Sequence, residues 1–296
     1  MRQVAGWLEG AVRRVREFAR ARPSRRRVAY RRPKVGLALG GGFARGISHI
    51  GVLRVFEEHK IPIDCIAGTS VGALIASAYA AGSSLDEMER QAEVTHFRDF
   101  GRWTLSWLGL ASNERLENYL HRFSTAARFE ELKMPLAVAA TDLGSGEAVY
   151  FTEGEIGPPL RASCAYPGLF LPVELDGRIL VDGFLAAPVP VEAVRQLGAE
   201  YVIAVYLDAS RAAEKPDSMM DVIGRSFSIM QRHAHRNWRY RADVVLEPDV
   251  TNFDWDDFEQ TPQMISAGEA AARAALPRLR GEILGESVPD IIRQTA

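Results

Sequence analysis

Apolar positions along the chain alternate between short continuous runs and stretches with three- and four-residue spacing. Val35–Leu39, residues 63–67, 136–140, Ala148–Phe151 and 201–207 are short apolar runs and read as buried strands. Residues 44–59 repeat Ile47, Ile50, Val52, Leu53 and Phe56 at helical spacing, and Val71–Ala81 is rich in Ala and Leu. Further helices are expected over 86–97, 114–123, 156–163, 191–197, 217–240 and 262–276, the last stopped by Pro277. Asp176-Gly177 between apolar residues 173–175 and 179–181 is a hairpin signal, and 244–246 reads as a final strand. Met219, Met220 and Met230 are expected in the core. The aromatic stretch 100–110, with Trp103 and Trp107, is expected to pack, with a lid or acyl-pocket wall as the sharper alternative. Strands alternating with helices predict one α/β domain over residues 34–296 with a largely parallel sheet.

Charge separates off the N-terminus. The whole chain carries −2, but residues 1–34 hold twelve Arg and Lys against Glu9 and Glu17, a local +10 that leaves the body at −12. An acidic body is a poor nucleic-acid binder, so no nucleic-acid partner is expected. Val4, Leu8, Ala11, Val15 and Phe18 line one face of an amphipathic helix over 2–22, and Pro23 ends it. Residues 1–33 therefore read as a basic helix and linker. Two uses stand open: peripheral contact with a membrane surface, or packing on the body with solvated arginines. A transit peptide is a third reading, weakened by the glutamates and the scarcity of serine; no secretory signal is expected.

The candidate chemistry centres on Gly68-Thr69-Ser70-Val71-Gly72, between an apolar strand and an Ala-rich helix. A serine between glycines at a strand-to-helix turn is a nucleophile-elbow pattern. The helix that follows aims its positive end at the serine oxygen. Earlier, Gly40-Gly41-Gly42 joins the first strand to the first helix of the body, and its main-chain N–H groups suit a phosphate or an oxyanion. The dinucleotide fingerprint fails on spacing, because Arg45 and Phe43 occupy glycine positions, and no P-loop lysine follows. Arg45, a cation at a helix start, is expected to meet a carboxylate or a ligand phosphate, unless it is simply exposed. Asp182, at a strand end before Gly183, is placed to project into a site. His233 and His235 follow Asp182 in a serine-triad order but sit in a basic helix and read as solvated; His49 reads as packed near the glycine loop. Residues 65–85 carry no charge, yet their glycines and serines fit a buried strand–turn–helix, so no membrane span is expected. Cys65 and Cys164 read as reduced, buried thiols of a cytoplasmic protein, and no residue cluster has metal-ligand spacing.

These motifs in this order resemble the patatin-like phospholipase family, in particular the bacterial branch similar to the catalytic domain of neuropathy target esterase. The resemblance rests on Leu39 to Gly46, Gly68 to Gly72, Ser163 to Phe170 and Asp182-Gly183, and spans about residues 34 to 210. It implies a three-layer α/β/α fold and a Ser–Asp dyad without histidine or cofactor. Ser70 is then the nucleophile, Asp182 the base, and the amides of Gly40, Gly41 and Gly42 the oxyanion hole. Arg45, Gly46, Gly68, Gly72 and Gly183 support the motifs. The implied substrates are carboxylic esters of phospholipids or lysophospholipids, cleaved by a cytoplasmic enzyme or one peripheral at the inner face of the membrane. Two departures bear on this. Phe43 stands where the family pattern has a third glycine, at a cost of about 1–2 kcal/mol if that position needs φ > 0. Phe184 stands where Gly or Ala usually follows Asp182-Gly183. The alternative they raise is a catalytically impaired member that binds lipid or a protein partner.

Overall fold

The structure, a computed structural model, describes residues 31–104, 106–122, 126–208, 215, 219–234 and 236–286. The helix expected over 2–22 lies outside these residues, as do His235 and the side chain of His233. The strands are β1 (Val35–Leu39), β2 (Cys65–Thr69), β3 (Arg102–Trp103), β4 (Gly109–Ser112), β5 (Leu136–Asp142) and β6 (Ala148–Phe151). They continue with β7 (Gly168–Phe170), β8 (Val173–Leu175), β9 (Arg178–Asp182), β10 (Tyr201–Val205) and β11 (Val244–Leu246).

An eight-stranded sheet runs in the order β11-β10-β1-β2-β5-β9-β8, with β6 also paired to β5. Its first five strands are parallel, whereas β6, β8 and β9 pair antiparallel. The central strands β1, β2 and β10 are buried throughout, which is why they lack alternation. Helices Ser48–Glu58, Val71–Ala81 and Thr261–Leu284 contribute to the larger core cluster, and helix Val191–Gln196 to the cluster on the other face, giving three layers. The chain leaves β1 toward β2 on one side and returns through β10 on the other, so a crevice is expected at the strand ends there.

Three expectations are corrected. The last helix does not stop at Pro277 but runs from Thr261 to Leu284. Leu279 and Ile283, beyond the proline, are fully buried, and that apolar burial offsets the one lost main-chain bond. Met219 and Met230 are exposed rather than core; it is Ile223 and Phe227 of the same helix, Met219–Ala234, that pack inward. In the 100–110 stretch, Trp103, Trp107 and Leu108 are exposed, and among its described residues only Phe100 at its start packs against the main core. Asp176 and Gly177, both at positive φ, make the expected hairpin turn between β8 and β9.

Close approach explains the elbow glycines. A Cβ on Gly68 would lie 2.3 Å from the backbone of Ala73, and one on Gly72 would lie 2.4 Å from Leu39 O and 2.6 Å from Gly40 O. Neither neighbour is a side chain that can turn away. Gly72→Ala is therefore expected to lower the melting temperature by roughly 5 °C or more, the mark of overpacking against main chain. An unchanged melting curve would show that the β1 loop can retreat.

Candidate active site

Ser70 follows β2 and caps helix Val71–Ala81 with φ 55° and ψ −126°. This strained conformation is held from two sides: its N–H donates to Ser163 Oγ at 2.8 Å, and its C=O accepts from Ala73 and Leu74 at 2.8 and 3.1 Å. Thr69, one residue earlier, donates its hydroxyl to Ala187 O at 2.7 Å and ties the elbow to the chain after Asp182.

Strand register brings Asp182 to this turn. Thr69 pairs with Ala139 of β5, and the next residue, Ala140, pairs with Asp182. Because β6 occupies the other edge of β5 at both residues, β9 succeeds β2 along the same edge. Gly183 permits the approach, since a Cβ there would meet Ala139 O at 2.3 Å. Asp182 is almost fully buried. Burial pushes its carboxyl up to about 7, against the opposing pull of the Phe184 N–H and of the nearby Ser70 hydroxyl. The Phe184 N–H donates to Asp182 Oδ1 at 2.9 Å, so the aromatic residue after Gly183 contributes a main-chain donor to the carboxylate.

The glycine loop after β1 completes the site, with a correction to which amides are available. Gly40 N–H donates to Val205 O at 3.0 Å and Gly41 N–H to Pro188 O at 3.3 Å, so both are committed to anchoring the loop. The amides of Gly42 and Phe43, at the start of the 3-10 turn Phe43–Ile47, have no acceptor among the described residues. Such orphan donors are intrinsic to the first turn of a helix. Gly41, Gly42 and Phe43 line one cavity with Ser70 and Asp182, and a Cβ on Gly41 would sit 3.4 Å from Ser70 Cβ. Phe43 adopts φ 52°, the conformation a third glycine would take without strain. Arg45 is buried and donates from Nε to Phe253 O at 2.9 Å; a main-chain carbonyl takes part of the role foreseen for a carboxylate. Gly46 lets this turn rest on the elbow, because a Cβ there would overlap the Val71 side chain at 2.3 Å.

His49 is fully buried behind the loop, with Nε2 2.9 Å from Gly40 O. A carbonyl only accepts, so Nε2 carries the proton, and Nδ1 has no partner among the described residues. Burial lowers its pKa to about 4, so the ring is neutral at physiological pH, and no histidine with a described side chain lines either cavity that reaches Ser70. His49→Leu would leave Gly40 O buried and unpaired. It is expected to cost about 1–3 kcal/mol of stability and, by loosening the loop, roughly tenfold or more in kcat. Parallel melting and turnover curves test this; wild-type values in both would make the bond inconsequential.

Sequence reasoning missed Ser163, Phe43 as a donor, and the position of Cys164. Ser163 and Cys164 belong to the third matched motif, but nothing in it signals that one hydroxyl fixes the elbow amide. Cys164 lines the second cavity at Ser70 and is partly rather than fully buried. Burial and the charge of Asp182 raise its thiol pKa, with the Ser70 hydroxyl pulling the other way, so it remains a thiol. Among the described residues no group of side chains could hold a metal ion, and no helix is long and apolar enough to cross a membrane.

An α/β sheet that presents a serine on a strained strand-to-helix turn, beside a buried carboxylate and two orphan amides, defines a nucleophile-elbow fold. The family profile for patatin-like phospholipases matches residues 37–195. An NTE family protein of Mycobacterium tuberculosis is 36% identical over 203 residues, which cover 68% of this chain and 56% of that protein. Lysophospholipase nte1 of Emericella nidulans is 28% identical over 204 residues, 67% of this chain and 13% of that one. The chain thus spans little more than half, or far less, of the length of these relatives. Among solved structures, VipD from Legionella pneumophila aligns with a TM-score of 0.50 over 84% of this chain and 67% of that one, at 14% identity, a likeness of fold. The chain belongs to the patatin-like phospholipase family.

Proposed function

We propose that the protein is a serine lipid acyl hydrolase that cleaves carboxylic esters of phospholipids or lysophospholipids through a Ser70–Asp182 dyad. The observation that carries this reading is the strained Ser70 turn with the buried Asp182 carboxylate lining the same cavity. Asp182 takes the proton as Ser70 Oγ bonds to the ester carbonyl carbon. The amides of Gly42 and Phe43 hold the resulting oxyanion, assisted by the positive end of helix Val71–Ala81. Collapse breaks the ester C–O bond, and Asp182 returns the proton to the leaving alcohol. Water then attacks the acyl-serine, gives its proton to Asp182, and releases the fatty acid as Ser70 is reprotonated. A pKa near 7 suits a group that must both take and give a proton at neutral pH. Every part of this cycle is main chain, Ser70, Asp182 or water. The likeness to a protein named lysophospholipase supports a phospholipid-derived substrate. The basic residues 1–33 are proposed to hold the protein at the membrane surface.

Capture of a fluorophosphonate by the wild-type protein, together with fatty-acid release from lysophospholipid micelles, tests the proposal. A folded protein that does neither overturns it.

A further inference from the structure

Helix Met219–Ala234 presents one face to the site. Asp221, Gly224, Arg225 and Ser228 recur at helical spacing and line the cavity, of about 120 Å³, that Ser70 and Asp182 share. Gln231 lies one turn past Ser228 and beyond the cavity, and is only 5% exposed. A carbonyl only accepts, so Gln231 Nε2 is the atom that donates to Phe184 O. Its Oε1 is buried and has no partner among the described residues. An apolar side chain of the same length would pin the helix without stranding an acceptor. What the glutamine adds is its bond to Phe184. That residue is thereby held at both ends of its main chain, because its N–H donates to Asp182 Oδ1 at 2.9 Å. Its ring packs with Ile223 and Phe227 of the same helix against Tyr166, Leu169 and Phe170. Further along, the carbonyls of Ala187 and Pro188 hold the Thr69 hydroxyl and the Gly41 N–H.

We propose that Gln231 is a positioning residue for the dyad: by fixing the Phe184 carbonyl it aims the Phe184 N–H at Asp182, and so ties the base to the helix that walls the substrate cavity. This rests on the hydrolase reading above. Gln231 touches neither the reacting atoms nor the cavity, so it acts through Phe184 alone. The Phe184 N–H favours the ionised carboxylate, in opposition to burial. Once Phe184 O is released, that donor is less well aimed, and Asp182 ionises at a higher pH. The other groups around Asp182 stay as they are. Ser70 faces it from the elbow, and Cys164 and Tyr166 from the turn after helix Gly157–Ser163. Arg45 lines the cavity from the glycine loop, and the Asp221–Arg225 ion pair from the helix itself.

The test compares the wild-type protein with Gln231→Met, which keeps the length of the side chain and removes the donor and the orphan acceptor together. On lysophospholipid micelles, the midpoint of the rise of kcat with pH is expected to move up by about 0.5–1. At pH 6, kcat then falls about three- to tenfold, while kcat above pH 9 and KM stay within about threefold of wild type. Phe227→Leu thins the packing of the same helix without touching the Phe184 main chain, and is expected to leave the midpoint where it is. A merely structural Gln231 would give the two variants the same profile. Infrared difference titration of the Asp182 carboxyl, each protein against its own Asp182→Asn counterpart, reads the midpoint without turnover. If the wild-type protein hydrolyses no lipid and takes no fluorophosphonate, the hydrolase reading fails, and this titration alone decides whether Gln231 sets the carboxyl. Equal midpoints in folded wild-type and Gln231→Met proteins, or an equal shift in Phe227→Leu, overturn the proposal. Gln231→Leu repeats the comparison if the methionine variant misfolds; failure of both to fold makes Gln231 a folding residue and overturns the proposal as well.

Discussion

Ser70→Ala is expected to abolish fluorophosphonate capture and to reduce fatty-acid release by roughly 10⁴-fold or more, the scale seen when a serine nucleophile is removed. The loss should be one of chemistry and not of folding. Alanine pays the same backbone strain at φ 55° as serine, and the bond from the residue 70 amide to Ser163 Oγ does not need the hydroxyl. The helix that begins at Val71 keeps its first-turn bonds to the residue 70 carbonyl. The melting temperature is therefore expected to stay within a few degrees of wild type, about 1 kcal/mol. Turnover within tenfold of wild type by a folded Ser70→Ala protein would remove Ser70 from the mechanism.

Asp182→Asn is expected to lower kcat/KM by about 10²–10⁴-fold, the usual contribution of a positioned general base. An amide oxygen still accepts from the Phe184 N–H, so the geometry survives while the proton acceptor is lost. The same residue predicts the pH profile. Only ionised Asp182 can take the serine proton, and burial has moved its pKa up from 3.8 to about 7. Activity should therefore rise with pH to a plateau above about 7, and fall about tenfold per pH unit below it. Stability should run the opposite way. Between pH 3.8 and about 7 the folded protein holds a proton on Asp182 that the unfolded chain has released, so this group's contribution is present at low pH and is lost as pH rises through its folded pKa. The difference corresponds to an upper bound on the order of 4 kcal/mol. Asp182→Asn, which never ionises, should be both inactive and more stable than wild type at pH 8. Chemical denaturation at pH 5 and pH 8 checks this; equal wild-type and variant stabilities at pH 8 would show that the carboxylate carries no desolvation cost.

The sequence alone determined the order of the eight strands of the main sheet, though not the small sheet of β3, β4 and β7, along with the elbow at Ser70, the hairpin at Asp176-Gly177 and the position of Asp182 at a strand end. These are local matters. Apolar runs, helical spacing and glycine-dependent turns are written within a few residues of one another, so they can be read without knowing what packs where. The resemblance to the family is what implied a pairing of Ser70 with Asp182. Register explains it physically, because β9 succeeds β2 along β5. The tertiary structure alone decided which loop amides are free. Gly40, Gly41 and Gly42 look alike in the sequence, but Val205 and Pro188, more than a hundred residues away, engage the first two and leave Gly42 and Phe43. It also decided that the helix through Pro277 continues and that Met219 and Met230 face solvent, since a partner surface, not propensity, sets which face of a helix is buried. Phe43 shows the division most plainly. Its identity is a departure visible in one position of the sequence, yet its positive φ, its clamp between Tyr166 and Trp255 and its place between two cavities depend on residues brought together only by folding.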